Sequence, residues 1–375
     1  PLMRINVITR HAPGNYGSLL QSIATQKIFK KLKYDCKIID YVPEEETGAR
    51  VAFTQIKGKI NEKNNAIKKM INILLREPEY LIMHHKFLKM RRKYLNMTKH
   101  FKNHMELKEN FANSKEIFIT GSDQVWGPIS NGKLDMAYFL DFVPDNAIRI
   151  AFASSFGKAN FDRIIIDKIK DRLSKYNAIT VREDKAVEII NKMGLEAKQV
   201  LDPTLLITSE EWSKYIIETK KNKKYILVYQ IHNNRNLDMY AKKYAKKTGL
   251  PLVRVSPLLH QTIRGGKFIW LPEIGEFLGL IKNAECLITD SFHGTAFAIN
   301  FNTQFVEVLP NTGTSSRNQS MLKLTGLENR IVNNLEDFSF IDKKICFLEV
   351  NKIIEKNREE SLNYLETILN NEVKI

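Results

Sequence analysis

The residues best suited to chemistry in this sequence stand directly after short apolar runs of strand length. His293 follows the run at 285–289 within the segment DSFHG at 290–294, and a helical pattern starts at once. A histidine at a helix N-terminus can bind an oxyanion or exchange a proton near neutral pH. The structural alternative is a histidine whose ring is satisfied by the backbone of a turn.

A second group of polar residues follows the run at 116–120. Asp123, Gln124 and Trp126 bring a carboxylate, an amide and an indole to the end of this predicted strand. The combination suits a sugar, because polar groups can hold hydroxyls while an aromatic face stacks on the ring. The alternative is that Asp123 caps a turn or a helix.

Two arginines occupy similar positions. Arg317 follows the run at 304–308, where its planar fork could hold a phosphate or a carboxylate. Arg182 follows the run at 178–181 and has Glu183 as its neighbour, so that ion pairing is the plain alternative for it.

The elements that must position these residues alternate regularly along the chain. Short β-branched runs alternate with amphipathic helical patterns, which is typical of parallel sheets covered by helices. About ten strands are too many for one comfortable sheet, so we predict two sheets with a break at 201–204. The predicted strands are 4–9, 36–41, 116–120, 149–154, 178–181, 198–201, 224–229, 251–255, 285–289 and 304–308. The clearest helical patterns are 18–32, 183–193, 236–247 and 273–282.

Charge is concentrated in one segment. The 375 residues carry a formal net charge of +16, and residues 55–110 contribute 14 Lys or Arg against 5 Asp or Glu. We predict a helical insertion there, interrupted at Pro78. Its basic side is either an ordinary solvated surface or a surface for an anionic acceptor or an anionic membrane leaflet.

Several classes of protein are disfavoured. The motifs GxGxxG, GxxxxGK[ST], HExxH and GxSxG are missing, and no His/Cys cluster has zinc spacing, so we expect no metal site. No nucleic-acid motif accompanies the charge, and we expect no nucleic-acid partner. Three scattered cysteines, no signal peptide and no apolar run of membrane-spanning length favour a cytoplasmic location.

The segments at the strand ends resemble the polysaccharide pyruvyl transferase family, and they occur in the family's order over most of the chain. They are GNYGSLLQSIA at 14–24, FITGSDQVW at 118–126, YFLDF at 138–142, ASSFG at 153–157, VRED at 181–184, VLDPTLL at 200–206, EFLGLIKNAECLITDSFHGTAFAINF at 276–301 and SSRNQSMLKLTGLENR at 315–330. The basic insertion matches none of the family's motifs.

The resemblance implies an α/β fold of two Rossmann-like domains facing a cleft, similar to the GT-B glycosyltransferases. We expect an acceptor-side domain at 1–204, a donor-side domain at 205–348 and a C-terminal helix in 349–375 that crosses back to the first domain. The implied donor is phosphoenolpyruvate, a co-substrate, and no cofactor is expected. The implied acceptor is a hydroxyl pair of a sugar or a lipid-linked oligosaccharide, giving a pyruvate ketal and phosphate. Peripheral contact with an anionic membrane through 55–110 is a further expectation.

The resemblance also suggests roles for individual residues. We expect His293 to be the donor-side acid and Asp123 the acceptor-side base. The expected donor-binding residues are Ser291, Gly294, Arg317 and Arg182; the expected acceptor-binding residues are Asn15, Gly17, Gln21, Gln124 and Trp126. Some family members have Arg where Ser291 stands, so another cation must then bind the phosphate, Arg317 first and Arg182 second. The alternatives are a GT-B glycosyltransferase that uses a nucleotide sugar and a non-catalytic binder of anionic polymer.

Overall fold

The computed structural model describes residues 2–43, 46–47, 66–129, 132–157, 161–218, 223–310 and 315–373. The chain forms two compact units. Unit 1 comprises Pro1–Pro203 and Tyr364–Ile375, and unit 2 comprises Thr204–Asn363. The beginning of the predicted basic insertion, 55–65, lies outside the described residues.

Unit 1 is built on a seven-stranded sheet with the order β3-β2-β1-β4-β5-β6-β7, in which every neighbouring pair is parallel. Most residues of its inner strands are buried, as in a parallel sheet that is covered on both faces. The order reverses between β1 and β4, the kind of position where open α/β sheets bind ligands. The strands are β1 (Arg4–Ile8), β2 (Asp35–Tyr41), β3 (Met97–Phe101), β4 (Ile117–Thr120), β5 (Ile148–Ser154), β6 (Ala178–Val181) and β7 (Lys198–Gln199).

The basic insertion differs from its prediction. Its described part is not helical throughout, because β3 lies within it and pairs with β2 at the edge of the sheet. This strand, MTKHF, is half polar because an edge strand is only partly covered, and the sequence therefore shows no apolar run. Pro78 also does not end the helix in which it lies. The α-helices that begin within the described residues of unit 1 are α1 (Tyr16–Lys31), α2 (Ala66–Tyr94), α3 (His104–Phe111), α4 (Arg163–Leu173) and α5 (Asp184–Lys192).

Unit 2 is built on a five-stranded parallel sheet with the order β10-β9-β8-β11-β12. Its order reverses between β8 and β11. The strands are β8 (Ile226–Tyr229), β9 (Leu252–Ser256), β10 (Lys267–Trp270), β11 (Cys286–Thr289) and β12 (Phe305–Glu307). The edge strand β10 was not predicted, because its sequence KFIW is short and remains partly exposed.

Helices follow most strands of unit 2, as the predicted alternation requires. They are α6 (Pro203–Leu206, which begins one residue before the unit), α7 (Ser209–Ser213), α8 (Arg235–Thr248), α9 (Ile274–Lys282), α10 (Phe292–Asn300), α11 (Ser316–Thr325) and α12 (Phe347–Val373), whose end belongs to unit 1. The predicted class, α/β with parallel sheets in two Rossmann-like units, is confirmed. Among the described helices, none is long and apolar enough to cross a membrane.

Candidate active site

The N-terminus of α10 is shaped by the serine that precedes it. Ser291 has an extended backbone, and its Oγ accepts a hydrogen bond of 3.0 Å from the N–H of Gly294. This is an N-cap, which satisfies one of the N–H groups that a helix start leaves unpaired. Ser291, predicted to bind the donor, therefore has a defined structural role at the start of the helix that carries His293.

Gly294 allows α10 to lie close to the sheet. A Cβ at this position would lie 2.9 Å from Thr289 Oγ1 and 3.1 Å from Tyr229 Cδ1. Thr289 cannot easily move, since its hydroxyl donates to the Tyr229 carbonyl and accepts from the Ser291 N–H. Gly294 thus sets the depth at which His293 is held, and a direct contact with the donor is not needed to explain it.

The structure brings His293 and Arg317 to one aromatic ring. The His293 ring meets that of Phe292 edge to face, with 5.1 Å between centroids, and the Arg317 guanidinium carbon lies 5.8 Å from the Phe292 centroid. Both side chains come from the first turn of a helix, α10 for His293 and α11 for Arg317. Two of the predicted donor-side residues, distant in sequence, therefore share one neighbour.

A buried carboxyl group that the sequence analysis missed links the same two helices. Glu307, the last residue of β12, is fully buried and accepts hydrogen bonds from the Thr295 hydroxyl of α10 and the Asn318 amide of α11. Burial raises the pKa of Glu307 to about 7, although these two hydrogen bonds oppose the shift. The available signal was its position, since it is an acidic residue at the carboxyl end of a predicted strand.

Asp290 orders the neighbouring loop. Its carboxylate accepts hydrogen bonds from the backbone N–H groups of Ile231, at 2.8 Å, and His232, at 3.3 Å. The His232 ring is also within 3.4 Å of this carboxylate. The first residue of DSFHG therefore joins the ends of β8 and β11 rather than facing a ligand alone.

The predicted acceptor residues of unit 1 lie at the ends of β1 and β4. Asn15 is the N-cap of α1, because its Oδ1 accepts from the N–H groups of Gly17, at 2.7 Å, and Ser18, at 3.4 Å. The Ser18 hydroxyl then donates to Asp123 Oδ2 at 2.7 Å. Asn15, Gly17 and Asp123 are thus brought together, and Asn15 and Gly17 have roles in forming the helix.

Asp123 is held in an uncommon backbone conformation. Its φ is +76°, in the left-handed region, and it forms an isolated bridge with Ser154 of β5. Its Oδ1 accepts the N–H of Gln124 at 2.8 Å. Strained backbone of this kind clusters at functional sites, and here it fixes the direction of a carboxylate that retains slight exposure.

Arg182 does not fit the prediction that it binds the donor. Its side chain is fully buried in unit 1, and its Nη1 donates to Asp202 at 2.8 Å, while Asp123 and Glu183 lie within 3.5 and 3.7 Å. Burial alone would lower the pKa of Arg182, but these carboxylates hold it above its ordinary value. With three carboxylates around one guanidinium, Arg182 neutralises and orients Asp123, and it offers nothing to a phosphate.

Trp126 also requires a correction. Its exposed fraction is 0%, its ring stacks on Phe139 with centroids 5.8 Å apart, and its Nε1 donates to the Tyr138 carbonyl. An indole enclosed in this way belongs to the hydrophobic core and presents no face to a sugar. The prediction that Trp126 binds the acceptor is therefore wrong. Its burial depends on residues later in the chain, such as Phe139, which the local sequence does not reveal.

The two glutamines differ in accessibility. Gln21 is fully buried within α1, and its amide donates to Thr9, Ser18 and Ser22, so it is a structural residue of this helix rather than an acceptor contact. Gln124 is half-buried, and its Oε1 lies so close to Gly157 that a Cβ there would be 2.6 Å away. Gln124 is therefore the more accessible of the two glutamines.

Comparison with known proteins identifies the family. The family model for polysaccharide pyruvyl transferase matches residues 15–312, well over half of the chain. This chain belongs to the polysaccharide pyruvyl transferase family. The prediction of a transferase that acts in polysaccharide biosynthesis is confirmed at this level, and the family implies a pyruvyl donor and a sugar acceptor. A search of curated proteins gave no sequence match to this chain.

Solved structures resemble this pyruvyl transferase in fold. A putative UDP-N-acetylglucosamine 2-epimerase from Listeria monocytogenes has a TM-score of 0.55 at 8% identity, over 100% of this chain and 97% of that one. UDP-GlcNAc 2-epimerase from Methanocaldococcus jannaschii, with UDP-GlcNAc and UDP, has a TM-score of 0.50 at 14% identity, over 98% and 99%. At such identities the likeness concerns the fold alone, which is GT-B-like, as predicted.

Among the residues that the structure describes, no group of three or more His, Cys, Asp or Glu side chains is arranged to hold a metal ion.

Proposed function

We propose that this pyruvyl transferase uses phosphoenolpyruvate as donor and joins its pyruvyl group to two hydroxyls of one sugar as a cyclic ketal. Phosphate is the second product. The observation that carries the proposal is the convergence of His293 and Arg317 on Phe292. A proton-transfer group and a permanent cation at two helix N-termini suit a substrate that carries a phosphate and a carboxylate.

The reaction requires one proton at carbon before the new bonds form. In our proposal the His293 imidazolium protonates the methylene carbon, which becomes the methyl group and leaves an oxocarbenium-like centre at C2. One sugar hydroxyl attacks C2, the C2–O bond to phosphate breaks, and the second hydroxyl closes the ring. Of the two hydroxyl protons, one is taken by the acceptor-side base and released to solvent, from which His293 is protonated again, and the other leaves on phosphate, so both residues are regenerated.

Arg317 has a separate task on the donor side. Its planar fork binds an oxyanion with two parallel hydrogen bonds, and its charge stabilises the departing phosphate. The alternative cation, Arg182, is occupied by Asp202, Asp123 and Glu183. Arg317 is therefore our assignment for the phosphate cation in a chain that has Ser291 where some family members have Arg.

Asp123 is our assignment for the base that activates an acceptor hydroxyl. Arg182 and Ser18 hold its carboxylate in a fixed direction, and half-buried Gln124 lies beside it as a hydroxyl anchor. We propose that the reaction needs no resident cofactor, since phosphoenolpyruvate supplies both the transferred group and the leaving group. We place the reaction in the cytoplasm.

The test is phosphate release from phosphoenolpyruvate with a panel of sugars, both free and lipid-linked. His293→Ala is expected to abolish turnover with the fold intact, and Arg317→Ala to raise the KM for phosphoenolpyruvate more than it lowers kcat. The matched controls on the same unit are half-buried His260→Ala and exposed Arg235→Ala, which should leave both constants unchanged.

Two results would count against the proposal. Near-normal phosphate release by His293→Ala would remove its catalytic role, and unchanged donor binding by Arg317→Ala would remove the phosphate assignment. A nucleoside diphosphate that raises the melting temperature, when phosphoenolpyruvate does not, would instead favour a nucleotide-sugar transferase.

A further inference from the structure

Helix α2 of unit 1 exposes a row of large apolar side chains. Ile71, Leu74 and Leu75 are 49%, 63% and 71% exposed, and Leu81 and Ile82 are exposed to a similar degree. Their spacing of three and four residues places them on one side of the helix. Over the span from Ile71 to Ile82 this row is about 17 Å long at the α-helical rise. Isolated exposed leucines are ordinary, but a contiguous row marks an interaction surface.

The same side of α2 becomes basic further along. Helical spacing continues the row through His85, Lys89, Arg92 and Lys93, all of which are exposed. The whole helix carries eight Lys or Arg against two Glu. The exposed side is thus divided into an apolar first part, 71–82, and a cationic second part, 85–93.

The opposite side of α2 is packed against the predicted acceptor loop. Met83, Phe87 and Met90 are buried, and the ring of Phe87 lies 5.1 Å from that of Tyr16. The side chain of Met83 lies so close to Gly14 that a Cβ there would be 2.5 Å from its Cε. Helix α2 is therefore fixed to the segment GNYGS at 14–18, which leads into α1.

We propose that this side of α2 docks on an anionic phospholipid surface, with 71–82 in the boundary between headgroups and acyl chains and 85–93 among the phosphates. A soluble acidic polymer would bind the cationic part alone, and the exposed leucines would not contribute. At a membrane surface both parts contribute, because the apolar side chains enter the boundary with the acyl chains while the cations contact the phosphates. Docking would hold the segment 14–18 close to the membrane. This inference rests on the proposed function and makes it more specific, because an enzyme docked on a membrane would act on a lipid-linked acceptor.

The experiment measures flotation of the full chain with two kinds of vesicle, without substrate. One kind is phosphatidylcholine alone, and the other contains about one-third phosphatidylglycerol. The apolar variant is Leu74→Ser/Leu75→Ser/Ile82→Ser, and its control is Ile263→Ser in unit 2, an 88% exposed isoleucine. The charge variant is Lys89→Glu/Arg92→Glu/Lys93→Glu, and its control is Lys242→Glu/Lys246→Glu/Lys247→Glu on exposed positions of α8.

We expect the wild type and both controls to float with anionic vesicles only, and less so as salt rises, because salt screens the attraction. The charge variant should lose at least about 100-fold in binding, because the loss of each of the three cations costs roughly fivefold and the new carboxylates are repelled in addition. The apolar variant should lose at least about tenfold, since buried apolar area also contributes to interfacial binding.

Other outcomes would overturn the proposal. One is equal binding to both vesicle types, and another is a loss of binding in the control variants as large as in the test variants. A third is a dimer, seen by light scattering in the wild type and absent in the apolar variant, which would make this side a contact between two copies. Binding to a soluble acidic polysaccharide without vesicle binding would also contradict it. Phosphate release with a free sugar is measured in the same variants, so that a failure of the proposed reaction can be distinguished from a failure of docking. If phosphate release persists while flotation is lost, the surface acts in docking and not in the reaction itself.

Discussion

Replacing Glu307 by Gln should change how the stability of unit 2 depends on pH. Glu307 is fully buried, and burial raises its pKa from the ordinary 4.5 to about 7. Between these two values the folded state keeps a proton that the unfolded state has released. Stability should therefore fall as pH rises from about 4.5 to 7 and then level off, because both states are ionised above that range.

The size of the effect follows from the same two values. Linkage gives a loss of about 2.5 kcal/mol between pH 5 and pH 8 for the wild type. Glutamine cannot ionise and keeps an oxygen for Thr295 and Asn318, so Glu307→Gln removes this loss. Its free energy of unfolding relative to wild type should thus improve by about 2.5 kcal/mol from pH 5 to pH 8, or about 1 M in urea midpoint.

The assay is urea unfolding followed by tryptophan fluorescence in a Trp126→Phe background. This background leaves Trp212 and Trp270, both in unit 2, as the only tryptophans of the chain. The control is Glu360→Gln, whose side chain is 57% exposed and which should show a difference independent of pH. If the difference between Glu307→Gln and wild type stays constant from pH 5 to pH 8, Glu307 does not titrate in this range and the reasoning about its burial is refuted.

Three further changes test the corrected assignments. Trp126→Ala should lower the free energy of unfolding by about 3–5 kcal/mol in urea melts, as for a core residue; a change in acceptor KM alone would restore the sugar-stacking role. Gly294→Ala should cost about 1–3 kcal/mol and reduce turnover, because its Cβ would meet Thr289; unchanged kinetics would mean that α10 can move. Arg182→Met should cost about 3–5 kcal/mol by removing the cation from the buried carboxylate of Asp202, and Arg182→Met/Asp202→Leu should recover part of this loss; no recovery would contradict the pairing.

Much of the fold could be predicted from the sequence because the signals are local. Inner strands of a parallel sheet are buried on both faces and read as apolar runs, as at Ile117–Thr120 and Cys286–Thr289. The edge strands Met97–Phe101 and Lys267–Trp270 were missed because a half-covered strand leaves no such run. Open α/β sheets bind ligands at the ends of their strands, and this rule alone selected His293, Arg317 and Asp123 as candidate site residues.

The sequence by itself determined which residues stand at the ends of strands and the starts of helices, since capping and strand formation depend on neighbours along the chain. Only the tertiary structure decided what those residues do. Arg182 and Asp202 are 20 positions apart, yet their ion pair removes a cation from the candidate donor site. Burial likewise determines that Trp126 is a core residue and that the pKa of Glu307 is raised, and this burial depends on atoms contributed by distant segments. Burial and pairing set charge, accessibility and pKa, and these are the properties that distinguish a binding residue from a supporting one.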